Sequence, residues 1–436
     1  MTQRSPAGWI APPLALLLVA LAPGATLALD YNFAGSVSLN YRLLVNRLSE
    51  PREQRSVMLP GFNINASVKA VVDVSPWLSA TTKVCYGCHG LEAINMVAEL
   101  TPHPAFNIRA GRFQPAFGDF YLRHDPTAHK TPGNPLPYDM GHMVHGREWG
   151  YGIVPVPYVD NGAEVYGTLR PTNTVSLAYA VHIVGGFKSP EQTSPNTVVQ
   201  DFALRRSRFV TSTDYLVDNN RWPGIGGRLA LTFARSADMS PAVPDITVGG
   251  SFMYSRYDDM DQLGYFIYGV DMYLHLWRVN LRAEVLRRQL DIDARLLDYP
   301  EGRSTGLRMM LDPVTVSKEG FYVESDFPLG NYLEGVLRID GMRRTGPRPA
   351  RANPDEAMLP PQQRTYRPPP AAALDFDDWV MRYTVGLNII PLTGAKLKLS
   401  YEHWRFSSLP DDSYRRDQGN FHDREYMIHL ALVTSF

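Results

Sequence analysis

The sequence predicts an all-β chain: a single transmembrane antiparallel β-barrel of about 16 strands, with short turns at one end and long loops at the other. Three observations predict it. Apolar and polar residues alternate with period two through most of the chain after residue 29. No later stretch approaches the roughly 20 apolar residues that a membrane-spanning helix needs. The last segment alternates too, with Tyr426, Ile428, Leu430, Leu432, Thr434 and Phe436 on one face, and the chain stops there.

Residues 1–28 read as a secretory signal peptide. Arg4 supplies the positive start, Leu14 to Leu21 the apolar stretch, and Thr26-Leu27-Ala28 a small-residue cleavage site. Residues 29–436 are then expected as one barrel domain in the bacterial outer membrane. The formal net charge of −1 over 436 residues gives no bias toward nucleic acid or other polyanions. Tyr (23) outnumbers Phe (18) and Trp (7), and a ring with one apolar body and one wet tip suits a membrane boundary.

The alternation is clearest in Phe62 to Val74. Phe62, Ile64, Ala66, Val68, Ala70, Val72 and Val74 form one face, and Asn63, Asn65, Ser67, Lys69, Val71 and Asp73 stand on the other. The pattern recurs at 279–288, 333–340 and 396–402. There Arg282, Glu284, Arg288, Glu334, Arg338, Asp340, Lys396, Lys398 and Glu402 interleave with aliphatic residues. A dry soluble core would not tolerate so many charges, whereas a water-filled lumen would. Short turns are expected at 75–76, 171–173, 328–330 and 391–394. Long polar stretches fall at 46–61, 119–148, 188–222, 291–317, 344–375 and 407–424. The stretch 344–375 is rich in Pro and Arg. It reads as an outer loop, either simply solvated or offering arginines to lipopolysaccharide phosphates and to anions at the mouth.

Residues 106–118 read Phe-Asn-Ile-Arg-Ala-Gly-Arg-Phe-Gln-Pro-Ala-Phe-Gly. Gly111-Arg112-Phe113 with Pro115, Phe117 and Gly118 resembles a segment of the phosphate-selective porin O/P group. The resemblance implies that this run closes a strand and opens a loop that folds into the channel, so 119–148 is expected to be a constriction loop. It also implies a porin-like channel for small hydrophilic solutes, set in outer-membrane lipid and lipopolysaccharide, and the homotrimer common among general porins. Phosphate selectivity is not implied, because the lysine cluster of the specialised members has no counterpart here. Lys69, Lys83, Arg109, Arg282, Arg288, Arg338, Arg382, Lys396 and Lys398 are expected to line the pore. They outnumber the inner carboxylates, which predicts a weak anion preference. The competing reading is that mixed charges merely keep the wall wet.

Cys85 and Cys88 are the only cysteines, in Cys85-Tyr86-Gly87-Cys88-His89. Three readings stay open. Two thiols at this spacing can form thioethers to haem c, with His89 as axial ligand, as in the attachment site of c-type cytochromes. They can instead close a Cys85–Cys88 disulfide in an oxidising compartment. Or they are free thiols, unpaired or bound to metal. The segments 77–84 and 91–100 read as strands, which places the motif in a tight outer connection. A second ligand to a metal held by His89 would come from Met140, His142, Met143 or His145; the plainer reading of these is polar loop residues. With haem present, the alternative function is electron transfer to a redox partner. No Ser–His–Asp or paired-carboxylate pattern stands out, so no enzyme is expected.

Overall fold

The computed structural model describes residues 30–45, 61–87, 90–123, 125–139, 152–154, 158–187, 221–235, 243–257, 261–293, 313–347, 375–406 and 424–436. Sixteen strands follow one another: β1 (Asp30–Leu44), β2 (Gly61–Ser75), β3 (Leu78–Gly87), β4 (Gly90–His103), β5 (Phe106–Phe113), β6 (Asp160–Leu169), β7 (Val175–Val184) and β8 (Gly224–Phe233). The second half comprises β9 (Asp245–Arg256), β10 (Gly264–Leu276), β11 (Val279–Asp293), β12 (Pro313–Pro328), β13 (Leu333–Pro347), β14 (Asp375–Leu392), β15 (Ala395–Phe406) and β16 (Arg424–Ser435). Each strand pairs antiparallel with its sequence neighbours, and β1 closes the barrel on β16 from Ser36↔Ser435 to Leu44↔Met427. Gly35 and Phe436 exchange backbone hydrogen bonds at the seam, so the last residue is tied to the first strand. Closure leaves no strand edge to be satisfied by other means.

The period-two pattern sets what each face meets. Val285 and Val270 point outward and are 63% and 58% exposed. A wall of such residues is unstable in water and at home against acyl chains. Aromatic residues mark the limits of this belt. Trp77, Trp277, Tyr332 and Phe436 lie at the turn end. Toward the loop end, Tyr268, Tyr383, Tyr401 and Tyr426 stand on the outward face. From Tyr426 in β16 to Phe436, one residue past its end, is ten residue steps. At about 3.3 Å per residue and a tilt near 40°, that spans about 25 Å, the height of an outer-membrane apolar band.

Several details differ from the sequence reading. Two of the long stretches, 291–317 and 344–375, are shorter than expected, because the wall rises past the apolar band: β11 runs on to Asp293 and β12 starts at Pro313, and β13 runs on to Pro347 and β14 starts at Asp375, each time with those two residues paired. Pro is tolerated there because the strand end needs no further ladder donor. Cys85 is not in a connection. It lies within β3, opposite Ser67 and Glu92. The interior is not uniformly wet either. On the loop-side half of the barrel, Met253, Ile267, Leu286, Met342, Val380 and Trp404 face inward and are buried. They pack against chain that enters from between β5 and β6.

Candidate functional site

The inward-folded segment starts where β5 ends at Phe113, and two glycines of the 106–118 motif make the entry. Gly111 has φ +129°, and a Cβ there would lie 2.2 Å from the Met96 carbonyl oxygen of β4. Gly118 has φ +55°, and a Cβ would lie 2.2 Å from the Tyr138 hydroxyl and 2.7 Å from Glu284 Oε2. Only glycine fits both demands. Helix α1 (Asp119–Leu122) makes one turn, with Arg123 paired to Asp119 at 2.5 Å. A 3₁₀ turn, Leu136–Tyr138, follows, and Phe117, Phe120, Tyr121, Leu136 and Tyr138 are buried.

An irregular segment carries backbone groups that no ladder satisfies. The barrel wall supplies their partners. Ser251 Oγ accepts from Gly118 N (2.9 Å) and Glu284 Oε1 from Phe120 N (2.5 Å). Glu284 also accepts from the hydroxyls of Tyr138 and Tyr322. Lys398 Nζ donates to the carbonyls of Pro126 (2.6 Å) and His129 (2.5 Å), and Lys396 Nζ to that of Thr127 (3.3 Å). Arg338 donates to Thr131 Oγ1 (2.5 Å) and the Gly133 carbonyl (2.9 Å), Arg382 to the Asn134 carbonyl (2.5 Å), and Asn388 to the Lys130 carbonyl (2.9 Å). Arg288 reaches the Ile153 carbonyl at 3.4 Å. Asp340 Oδ2 accepts from Leu136 N at 3.2 Å.

This network changes the meaning of the basic inner wall. The cations expected to line an open pore do stand on the inward face, but Arg288, Arg338, Arg382 and Lys398 are buried beneath the segment. Lys and Arg offer only donors, and an irregular segment is short of donors for its carbonyls. Their charge is offset locally: Arg382 pairs with Asp340 (2.5 Å) and faces Glu402 (3.6 Å), and Arg338 lies 3.2 Å from Asp340 and 3.5 Å from Glu324. Arg382 also stacks over Trp404, 4.9 Å from the ring centroid. Sequence reasoning weighed Glu284 and Asp340 only as minority counter-charges. Their alternation with inward neighbours was visible, but the segment amides they accept from, Phe120 N and Leu136 N, lie more than a hundred residues away.

The remaining cations sit closer to water. Arg109 pairs with Glu164 at 2.7 Å, and Arg282 pairs with Asp326. Lys83 holds Asp125 of the segment at 2.9 Å. Burial pushes Asp125 up, but the Lys83 ammonium and the Thr127 backbone N–H outweigh it and hold the carboxyl below its usual range. Burial likewise lowers Lys130, while its bond to Glu334 (2.6 Å) and the charge of Asp326 (3.0 Å) raise it above the usual value overall. Lys69 is exposed and directly opposite Lys83 across the β2–β3 ladder. It has no ion-pair partner among the described residues. Asn63, Asn65, Ser67 and Asp73 share its face.

Cys85 shares the inward face of β3 with Lys83, and Gly87 pairs with Gly90 beyond it. Cys88, His89, Met140, His142, Met143 and His145 lie outside the described residues, as does residues 1–28. Among the described residues no three His, Cys, Asp or Glu side chains gather as a metal site.

No family model matches the chain, and no curated protein matches it in sequence. Solved structures do match in shape. A loop-deletion form of OmpT, an outer membrane protein of Vibrio cholerae, superposes with TM-score 0.50 at 9% identity, covering 94% of this chain and 100% of that one. OmpT expressed in the outer membrane of Vibrio cholerae gives TM-score 0.50 at 9% identity, covering 94% and 98%. An anion-selective porin from Comamonas acidovorans gives 0.49 at 10% identity, covering 94% and 100%. This is an outer-membrane β-barrel. At such identities the likeness extends to the fold and no further.

Proposed function

We propose that the protein is a channel for small hydrophilic solutes, narrowed by residues 114–139, with a weak preference for anions. One observation carries the reading: the inward segment is bonded mainly to β9 and to β11–β15, with single contacts to β3 through Lys83 and to β6 through Glu164, while the rest of the β2–β3 wall keeps exposed and half-exposed polar residues. Water and solute pass along that wall. The anion preference rests on Lys69, and on Lys396, which reaches the Thr127 carbonyl of the segment at 3.3 Å; neither faces a carboxylate within ion-pair distance among the described residues, whereas Arg288, Arg338, Arg382 and Lys398 are buried beneath the segment. Surplus positive charge in a water-filled constriction raises the local concentration of anions.

The test is reconstitution in planar bilayers. Discrete conductance steps are expected, with a reversal potential in a KCl gradient that favours chloride modestly. Lys69→Glu is expected to move it toward potassium. Absence of any conductance from folded protein overturns the channel, and cation preference in the unaltered protein overturns the selectivity.

A further inference from the structure

The open bank of the lumen carries two ammonium groups on a single rung. Along β2 the inward residues run Asn63, Asn65, Ser67, Lys69, Val71 and Asp73. On β3, Lys83 stands directly opposite Lys69, and Cys85 opposite Ser67. Like charges on one rung repel, because cross-strand neighbours have Cβ atoms only about 5 Å apart. The chain answers one of the two. Asp125 of the inward segment takes a hydrogen bond from Lys83 Nζ on Oδ2 (2.9 Å), while its Oδ1 accepts from Thr127 N (2.9 Å) and Thr127 Oγ1 (2.7 Å). Lys69 is left exposed. The next carboxylate on its own strand, Asp73, is four residues on, about 13 Å along the backbone.

Asp125 therefore displays what this rung accepts: a carboxylate with one oxygen on an ammonium and the other on a hydroxyl and an amide N–H. The wall beside Lys69 offers a solute a related set. Ser67, the next inward residue toward the loop side, is half-exposed and shares a 2.9 Å hydroxyl–hydroxyl bond with Ser36. A hydroxyl has one donor and two acceptor positions, so capacity remains. Asn65 follows, also half-exposed, with its carboxamide laid across Gly87 of β3, where a Cβ would fall 2.7 Å from Asn65 Oδ1. That carboxamide has no hydrogen-bond partner among the described residues and presents donors and acceptor together. Inward positions are about 6.7 Å apart along a strand. A carboxylate at Lys69 thus places the hydroxyls of a six-carbon chain beside Ser67 and Asn65. The inward faces of β2 and β3 bear no aromatic residue, so no ring is there to stack on a solute and hold it back.

We propose that Lys69, Ser67 and Asn65 form a solute site on the open bank of the constriction, and that its ligands are small hydroxycarboxylates of the sugar-acid type. The inference rests on the channel reading and deepens it: a general lean toward anions becomes affinity for one class of them.

The test records single channels of the full-length protein in KCl, with gluconate, propionate, sorbitol or inorganic phosphate added on one side. The KCl steps check the channel reading by themselves, and their absence sinks that reading and this one together. With KCl steps present, gluconate is expected to interrupt the current in a concentration-dependent way. Propionate and phosphate should need roughly fivefold more, for want of the hydroxyl contacts, and sorbitol should not interrupt it. Lys69→Gln is expected to raise the half-blocking gluconate concentration roughly fivefold, the upper range for an exposed ion pair, and Lys69→Arg to recover most of that. The double variant N65A/S67A is expected to raise it about fivefold for gluconate and to leave propionate unchanged. Heat-modifiable gel migration confirms that each variant is folded. Normal KCl steps that gluconate never interrupts overturn the site alone, as does equal block in Lys69→Gln. Equal block by propionate or by phosphate also overturns it, because the wall would then read charge and ignore hydroxyls.

Discussion

Replacing Arg382 with Met separates two views of the inner wall. If Arg382 were a solvated lumen cation, the change would remove one charge from the pore and leave its shape alone. In the structure the guanidinium is buried, bonds Asp340 through Nε (2.9 Å) and Nη2 (2.5 Å), holds the Asn134 carbonyl and stacks on Trp404. Met fills similar volume but leaves Asp340 and Glu402 with less compensation in a dry setting. Removing one partner of such a buried ion pair costs about 3–5 kcal/mol. The sixteen-strand ladder does not depend on this contact, so the cost falls on the attachment of residues 130–138. Even if only half of it appears there, the segment's opening equilibrium shifts by roughly 10- to 60-fold, at 1.4 kcal/mol per tenfold. Single-channel recording reads this directly, as longer and more frequent visits to a larger conductance level, with gel heat-modifiability little changed. The reasoning fails if R382M keeps the native conductance and noise and alters only the reversal potential.

Three further outcomes are expected. Glu284→Leu leaves the Phe120 amide and the Tyr138 and Tyr322 hydroxyls short of their shared acceptor, at about 1–3 kcal/mol each. It should expose residues 119–138 to limited proteolysis while the barrel stays folded, and unchanged protease resistance would refute the anchoring role. Gly111→Ala places a methyl into the Met96 carbonyl at a backbone angle that alanine avoids, costing at least about 1–3 kcal/mol. Lower yield of folded barrel and a lower thermal midpoint are expected, whereas Ala110→Gly nearby should be mild. The Lys83–Asp125 bridge depends on pH. Because the folded Asp125 carboxyl titrates below its ordinary 3.8, its contribution is complete above that value and is lost as pH falls through the lower folded value. Lys130 behaves in the opposite sense: its contribution is complete below its ordinary 10.5 and is lost as pH rises through the higher folded value. Conductance noise should therefore be flat from neutral pH down to about 4 and rise below it; Asp125→Asn should show the low-pH behaviour throughout.

The sequence by itself determined the barrel. A strand buries one side in lipid and turns the other inward, so every strand writes its orientation into a two-residue period, as Phe62 to Val74 and Tyr426 to Phe436 show. About sixteen strands, turns at 75–76, 328–330 and 391–394 (which the structure places at 76–77, 329–332 and 393–394), and the inward facing of Arg282, Arg338 and Lys398 were all legible in this local code. The Gly111 and Gly118 spacing pointed at an inward loop through resemblance, but its physical reason, a Met96 carbonyl and a Tyr138 hydroxyl at 2.2 Å, belongs to neighbours elsewhere in the chain. Only the tertiary structure decided what the inward charges do. Period two says which way Arg382 points and cannot say what it meets. That depends on where an irregular segment with no pattern of its own comes to rest, 248 residues earlier in the chain.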